Sequence, residues 1–131
     1  MKFLLPTILL LFLTSCGKET YDAKESYELW AFESVPADIE VIHGQFWKSS
    51  HWTYEYRTYL KFRASKKWIN SFIQTNNLKV ASGDFDLPDQ APNWFDPKIG
   101  QRAYIKNEFS QGSIYFVDDK TGEVLIYEIQ L

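Results

Sequence analysis

At 131 residues, with 45% hydrophobic, 18% aromatic and 24% charged, the chain suits one globular domain and is too apolar for a disordered tail. Fourteen Lys and Arg against 17 Asp and Glu leave a formal charge of −3, so no basic excess exists to bind phosphates non-specifically, and nucleic acid is not an expected partner. A single Cys removes a disulfide framework and a Cys-based zinc site, and His43 and His51 alone are poor material for a histidine metal centre, so no metal or cofactor is expected.

Lys2 opens the chain with a positive charge, an uncharged stretch runs from Phe3 to Leu13, and the small residues Thr14 and Ser15 precede Cys16 and Gly17. This is the layout of a secretory signal. As a helix, Phe3 to Leu13 would reach about 16 Å against a hydrocarbon core of roughly 30 Å, too short for a permanent span. Leu13-Thr14-Ser15-Cys16 resembles the lipobox of bacterial lipoproteins, in which the chain is cut before the Cys and that Cys carries the lipid. The resemblance implies lipidation of Cys16 through a thioether. Several acyl chains on one residue anchor stably, since each buried methylene contributes about 0.8 kcal/mol. Gly17 stands where the family's inner-membrane proteins carry Asp, so the resemblance implies a cell-envelope protein with the outer membrane favoured. The expected organisation is a signal peptide over 1–15, the lipidated Cys with a short tether over 16–22, and a single domain over 23–131.

Within that domain, Ala23, Tyr27, Trp30 and Ala31 recur at helical spacing, which predicts a helix over 23–34 stopped by Pro36. Ile39 to Trp47 is rich in branched and aromatic residues and reads as a strand with a bulge at Gly44, followed by a turn over 48–51. The clearest period of two runs from Trp52 to Phe62. Trp52, Tyr54, Tyr56, Leu60 and Phe62 share one face, and Thr53, Glu55, Arg57, Lys61 and Arg63 the other, as in a half-buried antiparallel strand. Ser65 is placed to cap a helix whose Trp68, Ile69, Phe72 and Ile73 lie together, with Asn76-Asn77 as its stop. That helix is expected to pack on the Trp52, Tyr54 and Tyr56 side of the sheet.

Leu78 to Ala81 reads as a short strand, and residues 84–100, with Pro88, Pro92 and Pro97, as a loop. Three strands follow, over 102–106, 112–117 and 124–130, the last two joined by a turn in which Gly122 takes a positive φ. The predicted fold class is α+β, a mostly antiparallel sheet of four to six strands with one or two helices on one face. This order of elements, closing with Tyr127-Glu128, resembles small exported bacterial proteins without assigned function. It carries over no functional residue.

No catalytic constellation emerges. With Cys16 assigned to lipid there is no Cys-His pair, and no serine sits in a nucleophile elbow, so an enzyme is not expected. Asp84, Asp86, Asp89 and Asp96 invite a calcium reading that fails where Pro88 and Asp89 replace a ligand and the turn glycine; surface acidity accounts for them. Charge is distributed unevenly: Lys18 to Glu40 holds two basic and seven acidic residues, and Arg57 to Lys79 six basic and no acidic ones. The expectation is that the acidic segment lies along the basic one, offsetting Lys66 and Lys67 in a first helical turn.

Two candidate binding elements remain. One is the basic strand face of Arg57, Tyr59 and Lys61. The other is Trp94-Phe95, two adjacent rings in a proline-stiffened loop, of which one is expected to be buried and one presented, with Trp94 as the buried plug and Phe95 as its shield. The leading reading is a noncatalytic, lipid-anchored envelope protein that binds a protein or an envelope component. An immunity or inhibitor lipoprotein against an envelope-acting toxin is the alternative, and a glycan hydrolase with two facing carboxylates a third.

Overall fold

The computed structural model describes residues 17–82, 85–98, 100–106 and 111–131. Cys16, its leader and Asp84 lie outside the described residues. In chain order the elements are β1 (Lys18–Thr20), α1 (Ala23–Ala31), β2 (Glu40–Lys48), β3 (Tyr56–Arg63), α2 (Lys66–Thr75), β4 (Leu78–Ala81), β5 (Arg102–Lys106), β6 (Ile114–Val117) and β7 (Glu123–Gln130). The strands form one sheet in the order β1-β2-β3-β7-β6-β5-β4, and every pairing is antiparallel. The α+β class is as expected; the strand count is seven rather than four to six.

The additional strand is β1, read from sequence as part of the tether. Lys-Glu-Thr has no apolar alternation of its own, and it is held by pairing Lys18, Glu19 and Thr20 with Lys48, Trp47 and Phe46 of β2. Both helices begin as their caps dictate: Asp22 accepts the Glu25 amide at 2.7 Å, and Ser65 accepts the Trp68 amide at 3.1 Å. The first helix stops at Ala31, short of Ser34, because Phe32 turns into the left-handed region (φ 57°) and its N–H closes on the Glu28 carbonyl.

Period two divides the central strands between two cores. Toward the helices, Leu60 and Phe62 of β3, Tyr115 and Val117 of β6, and Val124 and Ile126 of β7 pack with Tyr27 of α1 and Ile69 of α2. Phe72 is half-buried between Trp68 and Tyr115, with ring centroids at 5.0 and 5.7 Å. The second helix therefore covers the Leu60–Phe62 end of its predicted face. The Trp52 end is not reached: β3 begins only at Tyr56, and Trp52 is fully exposed in the hairpin before it.

On the opposite face Tyr59, Ile114, Phe116, Leu125 and Tyr127 form a second core roofed by the loop over residues 85–98, whose Phe95 inserts into it. Gly44 does not make the bulge; the register shifts between Val41 and His43. Gly44 instead admits α1, since a Cβ there would stand 2.6 Å from the Ser26 Cβ and 3.1 Å from the Ala23 Cα.

Two stability effects follow from this packing. Gly44→Ala forces α1 away from β2 and is expected to cost about 1–3 kcal/mol, the usual range for overpacking. Phe62→Ala, at the centre of the helix-side core, is expected to cost about 3–5 kcal/mol. Urea unfolding checks both, and a wild-type midpoint for Gly44→Ala would show that α1 does not bear on β2.

Candidate functional site

Where β1, β2 and β3 run side by side, their loop-side residues enclose a cleft of about 270 Å³ lined by Glu19, Tyr21, Gln45, Trp47, Arg57, Tyr59 and Gln90. Alternation explains the membership. Gln45 and Trp47 flank Phe46, which points to the helix side, and they register against Tyr59 and Arg57 of β3. Gln90 comes from the proline loop and accepts a hydrogen bond from Arg57 Nη1 at 2.6 Å. The Arg57 guanidinium lies over the Trp47 ring, 5.6 Å from its centroid. Across the cleft the Tyr21 hydroxyl donates to Glu19 Oε1 at 2.7 Å.

Two donors at the floor are left over. Arg57 Nε and the Tyr59 hydroxyl are both buried and reach no hydrogen-bond partner among the described residues. Nor does Arg57 form an ion pair with any described carboxylate. Tyr59 is 2% exposed. Its phenol is pushed up by burial and further by Tyr127, while the neighbouring Arg57 pulls the other way through its charge and a side-chain contact too bent or long to count as an ordinary hydrogen bond. A buried donor without an acceptor costs about 1–3 kcal/mol, so Arg57 and Tyr59 form the least satisfied polar spot on this face of the sheet.

The basic strand face and the aromatic loop, read from sequence as separate candidates, are brought together here. The loop supplies Gln90 to Arg57, and Phe95 meets Tyr59 edge-on at 5.3 Å. Within the aromatic pair the expected roles are exchanged. Phe95 is 4% exposed and is the core plug; Trp94 is half-buried and stacks on His43 at 5.1 Å, because the ring nearer Pro92 meets β2 while the next residue turns under the loop. Lys61 stands apart from the cleft, in a half-buried pair with Glu123 at 3.6 Å.

The acidic segment does not line the basic one. Of that segment only Glu40 forms an ion pair with it, to Arg63 at 3.8 Å, and Lys66 and Lys67 are exposed with no carboxylate partner among the described residues. The folded position of α1, on β2, takes its carboxylates elsewhere: Glu25 to Lys18 and Glu28 to Lys24.

Glu19, Tyr21, Gln45, Trp47 and Gln90 were not singled out from sequence. Gln45 and Trp47 were open to detection, since any strand through Phe46 puts them on the face opposite to it. Glu19 and Gln90 reach the cleft only through long-range pairing and the path of the loop.

On the helix side Glu128 is the one buried carboxylate among the described residues, 9% exposed, and accepts hydrogen bonds from both the Tyr56 and Tyr115 hydroxyls. Burial raises both phenols, and their contacts with Glu128 raise them further. Tyr27 is pushed up to about 12, chiefly by burial, then by Glu33 and Asp38. Among the described residues no three His, Cys, Asp or Glu side chains converge as metal ligands. No described helix is long and apolar enough to cross a membrane. No protein-family model, curated protein or solved structure matches the chain.

Tyr59→Phe removes a buried hydroxyl with no hydrogen bond of ordinary geometry, so unfolding stability is expected to stay level or rise by up to about 1 kcal/mol. A loss above that would mean the hydroxyl serves the fold. The raised phenols also set an alkaline limit. An unfolded tyrosine releases its proton near pH 10, while Tyr27, Tyr56 and Tyr115 retain theirs in the folded state. Stability is therefore complete below about pH 10 and declines as pH rises toward the folded values. Tyrosinate absorbance and circular dichroism followed together should show these phenols ionising only as the chain unfolds.

Proposed function

We propose that this chain is a noncatalytic, lipid-anchored protein of the bacterial cell envelope, with the outer membrane favoured, that binds a carboxylate-bearing protein segment or envelope component in the Arg57 cleft. The observation that carries the binding half is that Arg57 and Tyr59 line one cleft while Arg57 Nε and the Tyr59 hydroxyl, buried beneath its surface, make no hydrogen bond of ordinary geometry to a described residue. A carboxylate has the acceptors to meet both and the charge to pair with a guanidinium that no described acid neutralises. Trp47, Tyr21 and the amides of Gln45 and Gln90 supply the apolar and polar walls by which a binding cleft orients its ligand. The anchoring half rests on the lipobox resemblance at Leu13-Thr14-Ser15-Cys16.

Each half has its own test. The protein recovered from membranes should carry acyl mass on Cys16, and Cys16→Ala should leave the detergent-soluble membrane fraction. For the cleft, cross-linking in intact envelopes should yield a product with the wild type that disappears in Arg57→Ala and persists in Lys61→Ala, where the changed residue is paired outside the cleft. Identical products from wild type and Arg57→Ala would remove the cleft from the binding function.

A further inference from the structure

Large apolar side chains that a small domain leaves in water call for a reason, and three of them gather at one end of this sheet. Trp52 is fully exposed at the tip of the β2–β3 hairpin. Phe32, 77% exposed, lies against Tyr54 of the same hairpin at 5.9 Å. Leu131, 63% exposed, follows the Gln130–Tyr56 pairing that closes this end of β7 on β3.

The chain enters the fold at the same place. Gly17 lies on the hairpin backbone so closely that a Cβ would stand 3.2 Å from the Lys48 carbonyl oxygen and 3.6 Å from the Ser50 nitrogen. The residue preceding Gly17 is Cys16. Lys18 and Lys48 pair in register beside it, the first ion-paired to Glu25 at 2.6 Å and the second 5.0 Å over the Tyr54 ring.

We propose that this end of the sheet is a lipid-facing surface, with Trp52 seated in the headgroup layer of the membrane that holds the Cys16 lipid. The proposal rests on the anchoring half of the function proposed above. A lipid on Cys16 leaves no flexible tether, because β1 starts at Lys18 and Gly17 is already packed on the hairpin. The bilayer surface is thereby brought to the hairpin rather than to an arbitrary side of the domain. Tryptophan favours that layer because its apolar ring and its N–H are both satisfied there. With this end of the sheet down, the loop over residues 85–98 rises along the sheet face, and the Arg57 cleft opens sideways between the membrane and that loop.

The test uses the full-length protein purified from membranes and reconstituted into vesicles of phosphatidylethanolamine and phosphatidylglycerol containing brominated lipid. Trp52 is one of five tryptophans, and the only one fully exposed among those described. The wild type is expected to lose part of its emission to bromine quenching, and Trp52→Ala, at a fully exposed position, to lose that quenchable part entirely. Equal quenching in the two proteins overturns the proposal, as does a Trp52 emission shift that appears on concentrating the protein in detergent without lipid, which would assign the patch to a second copy of the chain. Mass measurement on the same sample separates the two ideas: absence of acyl chains on Cys16 defeats the anchoring reading, whereas a lipidated protein with no Trp52 quenching defeats only the lipid-facing surface.

Discussion

The two-sided apolar character of β3 and β7 is the constraint on which the rest of the structure depends. Leu60, Phe62, Val124 and Ile126 need cover on one face, and Tyr59, Leu125 and Tyr127 on the other. An antiparallel sheet of this kind commonly leaves one face wet; here that would expose a continuous aromatic surface. The chain has only two helices among its described elements, and both go to the first face. The second face is covered by the proline loop, with Phe95 as its inserted ring and Trp94 fastened on His43.

That division of labour produces the candidate site. Helices bury a sheet broadly, whereas a loop covers only the strands it crosses, here β2 through His43 and β3, β7, β6 and β5 through Tyr59, Leu125, Tyr127, Ile114, Phe116 and Ala103. At the margin of the cover the sheet face is neither roofed nor free, and Arg57 and Tyr59 are buried there without acquiring full sets of partners. Gln90 closes one side of the opening and the β1 edge, through Glu19 and Tyr21, the other. Rigid β-sheet positions thus carry the side chains of the candidate site, and proline limits the conformations of the segment beside them.

The helix side is built for permanence. Gly44 lets α1 descend onto β2 beside Ser26, and Tyr27 meets Phe62 edge-on at 5.5 Å. Glu128 would be a destabilising intrusion in that core if it stood alone, since an ionised carboxylate is costly to bury. Hydrogen bonds from Tyr56 on β3 and Tyr115 on β6 serve both of its oxygens and tie three adjacent strands together.

Local patterns determined much of this protein. Asp22 and Ser65 mark the helix starts, Asn76-Asn77 the second helix end, and Asp118 to Gly122 the closing hairpin, because caps and turns are settled by residues within a few positions of one another. Alternation from Tyr56 to Phe62 correctly divided one strand between two faces, but the strand expected to be half-buried is packed on both, as is β7 beside it. Tertiary structure alone decided the rest. Lys18–Thr20 has no strand signal and becomes one by pairing; Gly44 serves an approaching helix rather than a bulge; and Trp94 and Phe95 exchange roles because of where the loop crosses β2. The Arg57 cleft belongs to this second class, since Glu19, Gln45, Arg57 and Gln90 are distant in sequence and meet only when strands pair and the loop lies down. Periodicity reports which way a side chain points; what covers it depends on contacts between segments that no local window contains.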